Sequence, residues 1–215
     1  MTVYATKKLI STYRLVPEFE VFVDEMLMLR AKPSASWLPK VMAHLDAVLV
    51  DHAHLERKAA TSALSLERYQ ELFGLVSDLN AIAIEELEHF QLVLDILAER
   101  GVPFSAPISS PWISGLMGSI RKGRREQVID HLLCAALIEG RSCVKFQLLA
   151  DALGQVDAPL AKFYADLVES EGNHYAAYLL MAKEIDEAET NTRLDFYLDL
   201  DAELVQQPSD LPILH

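Results

Sequence analysis

Apolar residues recur every three or four positions along most of the chain, which is the spacing of one buried face on an α-helix. No segment shows a convincing alternation of single apolar and polar residues, the pattern of a strand with one face in solvent. The sequence therefore predicts an all-α protein. Its four long helices are expected from about Ser36 or Pro39 to Ala63, Leu66 to Arg100, Arg125 to Leu153 and Ala158 to Ile185.

Prolines and glycines separate these four segments into two pairs. Gly101 directly follows the second helix, in the position where glycine commonly ends a helix. Residues 101–123 are rich in proline and glycine, and a short helix is expected within them near Trp112–Ile120. Two helix hairpins joined by one long crossover are typical of the ferritin-like four-helix bundle.

Further helices are predicted outside the bundle. One runs from Pro17 to about Arg30, and an acidic one covers about Glu187–Val205. A chain of 215 residues is a suitable length for one sizeable domain. We expect a single ferritin-like domain over residues 1–215, with the core bundle at about 36–185 and an acidic C-terminal helix and tail at 186–215.

A Glu-x-x-His motif occurs in two of the long helices, once at Glu86 and His89 and once at Glu171 and His174. Residues three apart on a helix lie on one face, so each glutamate is a neighbour of its histidine. Chance could supply one such motif in a chain with this many glutamates. The second copy, in the matching helix of the other hairpin, makes accidental carboxylates the weaker of the two interpretations.

Each motif also has a glutamate upstream, on the preceding helix of its hairpin. Glu56 lies 30 residues before Glu86, and Glu139 lies 32 residues before Glu171, so an antiparallel neighbour can bring each pair level. All four glutamates fall on apolar stripes. Four carboxylates and two imidazoles suit two divalent first-row metal ions, because the carboxylate charge cancels that of the cations. The predicted ligands are Glu56, Glu86, His89, Glu139, Glu171 and His174.

Other polar residues also lie near these motifs. His52 lies one turn before Glu56 and either supports that ligand or lies on the surface. A carboxylate is expected to orient each histidine ligand, and Asp51 and Asp166 are candidates. We predict no catalytic residue beyond the metal ligands, and no motif for an organic cofactor occurs.

The net charge of −13 at first argues against a nucleic-acid partner. The densest basic cluster nevertheless falls within five residues in the crossover and offers candidate phosphate contacts. Its members are Arg121, Lys122, Arg124 and Arg125. The alternative is a solvated loop with ordinary surface charges. Lys7, Lys8 and Arg14 could add to the cluster, and Trp112 offers an aromatic ring for stacking on a base.

The cellular setting is expected to be the cytoplasm. No apolar run approaches the length of about 20 residues that crosses a bilayer, and no leader segment opens the sequence. Cys134 and Cys143 lie on opposite faces of one predicted helix, so they cannot form a disulfide with each other.

Four segments around the predicted ligands resemble the MiaE family of diiron tRNA hydroxylases. They are DHAHLERKAATSA at 51–63, EELEHFQLV at 85–93, LCAALIEGRSCVKF at 133–146 and FYADLVESEGNHYAAYL at 163–179. The likeness runs from about Trp37 to Val205. The family usually has alanine where this chain has Gly140 and Gly172, which leaves all six ligands in place and affects only local helix geometry.

The resemblance implies a non-haem diiron monooxygenase that hydroxylates the isopentenyl side chain of 2-methylthio-isopentenyladenosine next to the anticodon in tRNA. It implies two Fe ions, dioxygen as co-substrate and an external electron donor. The partners would be the tRNA anticodon stem-loop and an electron-transfer protein, with no membrane. Two alternatives remain. One is a ferritin-like diiron oxidase or peroxide-scavenging protein that acts on a small molecule and shares all six ligands, and the other is a non-catalytic iron-storage or metal-buffering protein.

Overall fold

A computed structural model describes residues 27–207 and 209–215. Within these residues the chain is helical and contains no strand, as predicted. The α-helices are α1 (Trp37–Ala43), α2 (Leu45–Leu66), α3 (Val76–Glu99), α4 (Pro111–Gly118), α5 (Arg124–Leu153), α6 (Ala158–Ile185) and α7 (Glu187–Val205), with a 3-10 helix at Gln70–Leu75. Most of the helix predicted from Pro17 to about Arg30 lies outside the described residues, as do Lys7, Lys8 and Arg14.

The described residues divide into two compact units. The first unit contains residues 34–118 and 209–215, and the second contains residues 27–33 and 119–207. None of the described helices is both long enough and apolar enough to cross a bilayer.

The first unit is built on the α2–α3 hairpin, whose two helices pack along their lengths. The single helix predicted to end at Ala63 is divided, because His44 leaves the helical conformation (φ −136°, ψ 37°) and separates α1 from α2. The second helix was predicted from Leu66, but Tyr69 is extended and a 3-10 helix precedes the start of α3 at Val76. These boundaries correct the prediction.

Gly101 ends α3 as predicted. Its φ of +68° lies in the left-handed region that favours glycine. The Val102 N–H donates to the Leu97 carbonyl (2.9 Å) and the Gly101 N–H donates to the Ala98 carbonyl (3.1 Å). This is the Schellman arrangement, which satisfies two carbonyls at the helix end.

The second unit contains α5 and α6, which pack along their lengths, and α7, which packs on both. The bounds of these three helices agree with the prediction to within one residue. Side chains explain this agreement at the starts of α6 and α7, because Asp157 accepts a hydrogen bond from the Leu160 N–H (3.1 Å) and Asp186 accepts one from the Glu189 N–H (3.1 Å). Such N-caps are readable in the sequence.

Candidate metal centre

The α2–α3 hairpin brings three predicted ligands together within the first unit. Glu56 projects from α2, while Glu86 and His89 project from successive turns of α3, and all three side chains are buried. His89 Nδ1 lies 3.6 Å from Glu56 Oε2 and 3.8 Å from Glu86 Oε2. Each residue offers a ligand atom within 4.8 Å of the other two.

His52 supports this cluster from one turn earlier on α2. It is fully buried, and its Nε2–H donates to Glu56 Oε1. The structure therefore places His52 against a predicted ligand rather than on the surface. The sequence signal was the i, i+4 spacing to Glu56, which cannot by itself distinguish a buried histidine from an exposed one.

In the first cluster, nearby opposite charges shift the pKa values of Glu56 and His89. Burial alone raises the pKa of Glu56, but the charge of His52, the hydrogen bond from His52 and the nearby His89 imidazole hold that pKa well below its usual range. Burial alone lowers the pKa of His89, but the neighbouring carboxylates of Glu56 and Glu86 favour its charged form and raise the pKa to about 9. Buried carboxylates of this kind require a nearby cation.

The α5–α6 hairpin brings the other three predicted ligands together within the second unit. Glu139 projects from α5, while Glu171 and His174 project from successive turns of α6, and all three are buried. Each offers a ligand atom within 4.8 Å of the other two. Each unit thus supplies two carboxylates and one imidazole, a donor set whose charge of −2 matches one divalent first-row cation. The residues fit a metal in each unit.

Gly140 follows Glu139 without disturbing the helix. A Cβ atom at Gly140 would lie 3.1 Å from Tyr175 Cδ2, which is tighter than ordinary contact. The Tyr175 hydroxyl donates to the Leu27 carbonyl (2.8 Å), and that bond fixes the ring. Glycine at 140 therefore makes room for an aromatic ring that directly follows His174, and α5 remains regular there.

The two aspartates considered as supports for the histidine ligands have other contacts. Asp51 accepts a hydrogen bond from the Leu214 N–H (2.8 Å) within the first unit. Asp166 is half exposed and pairs with Lys162 on the surface of α6.

The four basic residues of the crossover differ in their surroundings. Arg121 is held by bonds to Asp130 (2.8 Å) and Glu189 (2.6 Å), within the second unit. Arg125 pairs with Asp186 (3.3 Å) but remains more than half exposed, while Lys122 and Arg124 are exposed.

Trp112 is the aromatic residue that the sequence offered for base stacking. It is only 6% exposed, and its ring stacks on that of His215 with 5.2 Å between centroids. Trp112 therefore has no open face for an RNA base, which corrects the expectation. The expectation failed because residues far along the chain, 209–215, belong to the same unit.

Comparison with known proteins agrees with this arrangement. The family model for tRNA-(MS[2]IO[6]A)-hydroxylase (MiaE) matches residues 21–215. A curated relative from Pseudomonas putida, named tRNA 2-(methylsulfanyl)-N(6)-isopentenyladenosine(37) hydroxylase, is 33% identical over 196 residues, which are 90% of this chain and 91% of the relative. A relative of the same name from Salmonella typhimurium is 34% identical over 124 residues, 58% of this chain and 45% of the relative.

A solved structure is similar over the same extent. It is described as Protein 43 with aldehyde deformylating oxygenase activity from Synechococcus, and it is 34% identical, with a TM-score of 0.81 over 87% of this chain and 94% of that one. The ferritin-like all-α fold predicted from the helix pattern is thereby confirmed. The match over nearly the whole chain, with both glutamate–histidine clusters intact, shows that the chain belongs to the MiaE family of tRNA hydroxylases.

Proposed function

We propose that the protein hydroxylates the isopentenyl group of 2-methylthio-isopentenyladenosine next to the anticodon in tRNA, as a non-haem diiron monooxygenase. The observation that carries this proposal is the complete donor set in each hairpin of a chain 33% identical to a named tRNA hydroxylase over 90% of its length. The reaction consumes dioxygen, two electrons and two protons for each hydroxyl group formed, with one water as the second product.

The proposed metal site is a dimetal centre with six ligands, and residues 1–215 are proposed to be a single ferritin-like domain. Two iron ions, once bound, would supply the activation of dioxygen. The carboxylates would cancel the charge of the ions, and the imidazoles would complete their coordination. The proposed ligands are Glu56, Glu86, His89, Glu139, Glu171 and His174.

The remaining residues around the ligands would orient them and exclude water. His52 would hold Glu56 in one rotamer through its hydrogen bond. Leu133, Leu137 and Phe146 on α5 are fully buried, and their apolar side chains are proposed to lie next to the isopentenyl group when it binds. No residue other than the ligands is proposed to transfer a proton. The two electrons would come from an external electron-transfer protein.

The basic segment of the crossover is proposed to contact tRNA phosphates. Lys122 and Arg124 are exposed, whereas Arg121 would chiefly hold the segment through Asp130. Arg125 is more than half exposed beside Asp186 and would contribute as well. This surface could attract RNA despite the acidic average of the chain.

A salt titration tests this interaction with phosphates. Charge reversal at Lys122 and Arg124 should weaken binding of an anticodon stem-loop and lower the slope of log affinity against log salt by roughly one for each cation that no longer binds a phosphate. Charge reversal at Lys162, which pairs with Asp166 on the exposed face of α6, is the matched control. An unchanged slope in the double variant would remove this segment from the RNA-binding surface.

A single-turnover experiment tests the function itself. Protein loaded with ferrous iron is mixed with reductant, dioxygen and prenylated tRNA, and the digested nucleosides are analysed by mass spectrometry. We expect one added oxygen on 2-methylthio-isopentenyladenosine, absent with Glu139→Ala. The proposal is contradicted if the protein carries two irons and consumes dioxygen but adds no oxygen to the nucleoside.

A second candidate function follows from the Synechococcus structure, which is as similar in sequence as the named tRNA hydroxylases. Its description assigns that protein an aldehyde deformylating oxygenase activity. The same iron-loaded preparation can be given an aldehyde, with formate as the measured product. Formate release without oxygen addition to tRNA would favour the small-molecule oxidase.

A further inference from the structure

Phe104 presents a partly open aromatic ring on the surface of the first unit, just beyond the end of α3. The side chain is 40% exposed. One side of the ring packs on His54 of α2 (4.3 Å between centroids, 31° between planes), and its edge meets Phe90 of α3 (5.8 Å, 60°). The ring therefore lies over the α2–α3 hairpin and keeps part of its surface in solvent.

The residues beneath Phe104 hold it in place. His54 is 2% exposed, and its Nε2–H donates to the Ser105 carbonyl (2.6 Å), while its Nδ1 accepts from the Arg57 guanidinium (3.1 Å). One neutral tautomer of His54 satisfies both bonds. A ring that is already ordered loses little conformational entropy when it binds a partner.

Positive charge lies beside the open ring. The Arg57 guanidinium lies over the Phe104 ring, 5.8 Å from its centroid, and both Arg57 and the following Lys58 are exposed on α2. Arg57 and Lys58 give this part of the surface positive charge, although the chain has a net charge of −13. An exposed aromatic ring next to a guanidinium is the combination that binds an unstacked nucleobase and its phosphate.

This surface lies close in sequence to proposed metal ligands of the same unit. Arg57 directly follows Glu56, and Phe90 directly follows His89. The aromatic surface and the first cluster are therefore carried by the same turns of α2 and α3. A base bound at Phe104 would be near the hairpin that carries half of the proposed metal centre.

We propose that Phe104 and Arg57 form a stacking site for an unpaired base of the tRNA anticodon loop, with Arg57 and Lys58 next to the backbone phosphates. This inference rests on the proposed function and adds the residues that select a single-stranded RNA loop. Stacking on Phe104 orients the loop, so Phe104 and Arg57 are binding residues and take no part in the chemistry.

The decisive variants are Phe104→Leu, which keeps an apolar side chain without the π-face, and Phe104→Trp, which restores one. Arg57→Gln removes the cation. Phe73→Leu is the matched aromatic control, because Phe73 is 59% exposed in the same unit. Arg68→Gln is the matched charge control, because Arg68 also lies over a ring, that of Tyr69, at 4.8 Å.

The measurement is fluorescence anisotropy with a labelled, prenylated anticodon stem-loop, accompanied by thermal unfolding of each variant. We expect about ten-fold weaker binding for Phe104→Leu and Arg57→Gln, recovery in Phe104→Trp and no change in the two controls. If Phe104→Leu lowers the unfolding temperature but binds RNA like the unaltered protein, Phe104 only anchors the loop and the inference is overturned.

Activity measurements on the unaltered protein distinguish failure of the proposed function from failure of the stacking site. If it adds no oxygen to the prenylated nucleoside, the proposed function fails, whatever the variants do. If it hydroxylates the tRNA while Phe104→Leu and Arg57→Gln bind the stem-loop with unchanged affinity, the proposed function stands and the stacking site is rejected.

Discussion

Arg141 and Asp201 form an ion pair in which both side chains are completely buried. Arg141 donates Nε–H to Asp201 (2.8 Å) and Nη1–H to the Ala31 carbonyl (2.7 Å), so the guanidinium holds α7 and the segment before α1. Arg141 is also two residues beyond Glu139 on α5. The pair thus links the packing of α7 to the helix that carries a proposed ligand.

Removing one partner of this ion pair should lower the free energy of unfolding far more than removing both partners. Asp201→Asn leaves a buried guanidinium without its counter-charge, and we expect a loss of about 3–5 kcal/mol in the free energy of unfolding. The double substitution Arg141→Met with Asp201→Leu should recover much of that loss, because no buried charge remains. Urea denaturation measures both.

The control for this pair is Lys162→Gln, which breaks an exposed ion pair on α6. Its expected cost is at most about 0.5 kcal/mol. A loss for Asp201→Asn as small as that of the control would mean that solvent reaches Arg141.

Metal content should depend on each cluster separately. Glu139→Ala and His174→Ala each remove a donor from the second unit, and we expect fewer than two irons per chain after reconstitution, because the remaining donors cannot complete both coordination spheres. Iron is quantified by elemental analysis. Glu88→Ala, which removes an exposed carboxylate beside His89, should leave two irons. Full iron content in either ligand variant would show that the proposed ligand set is wrong.

Gly140→Ala should destabilise the second unit although alanine favours helices. The gain in helix propensity is about 1 kcal/mol, while overpacking against a fixed ring costs about 1–3 kcal/mol. We therefore expect a net loss of up to about 2 kcal/mol, and a smaller one in a Tyr175→Phe background, where the ring is no longer bonded to Leu27. Thermal unfolding measures both.

Gly154→Ala provides the comparison at the end of the same helix. A Cβ there would meet only ordinary contacts, at 3.6 Å and beyond, in a right-handed conformation. We expect Gly154→Ala to be neutral or stabilising. If Gly140→Ala behaves in the same way, the Tyr175 ring does not require the glycine.

Acid should weaken the second unit through Asp130. Burial alone raises the pKa of this carboxyl, but hydrogen bonds from Arg121 and Arg193 outweigh burial and hold the pKa below its ordinary value. Because the folded pKa is the lower one, the stabilisation is fully present above the unfolded pKa of about 4. It is lost as the pH falls below 4 through the folded pKa.

Urea unfolding between pH 7 and pH 3 tests this linkage. Asp130→Asn should be less stable than the unaltered protein at pH 7, and the difference should shrink as the pH falls below 4. Asp166→Asn, at an exposed pair on α6, should follow the unaltered protein throughout. A difference between Asp130→Asn and the unaltered protein that stays constant with pH would contradict the assigned pKa direction.

The sequence predicted best the features that depend on local chemistry. The starts of α6 and α7 follow from aspartate caps, and the end of α3 follows from Gly101, so each can be read from neighbouring residues. Both clusters of proposed ligands were predicted because helix geometry fixes the relation between residues three apart. The break at His44 was missed because no proline or glycine marks it.

Features that depend on distant parts of the chain could not be predicted. Arg121 was predicted as a candidate phosphate contact, but its partners Asp130 and Glu189 come from α5 and α7. The burial of Trp112 against His215 likewise joins residues 103 positions apart. In each case the local sequence specifies a polar or aromatic side chain, and only the tertiary structure determines what it contacts.

The polar contacts between α5 and α7 also determine the direction in which α7 runs along α5. Asp130 of α5 accepts bonds from Arg193 near the start of α7, whereas Arg141 of α5 donates to Asp201 near its end. The acid lies on α5 in the first pair and on α7 in the second. An α7 docked in the reverse direction would bring arginine against arginine and aspartate against aspartate. The two ion pairs can therefore form in only one orientation of α7. Apolar packing alone discriminates poorly between the two orientations.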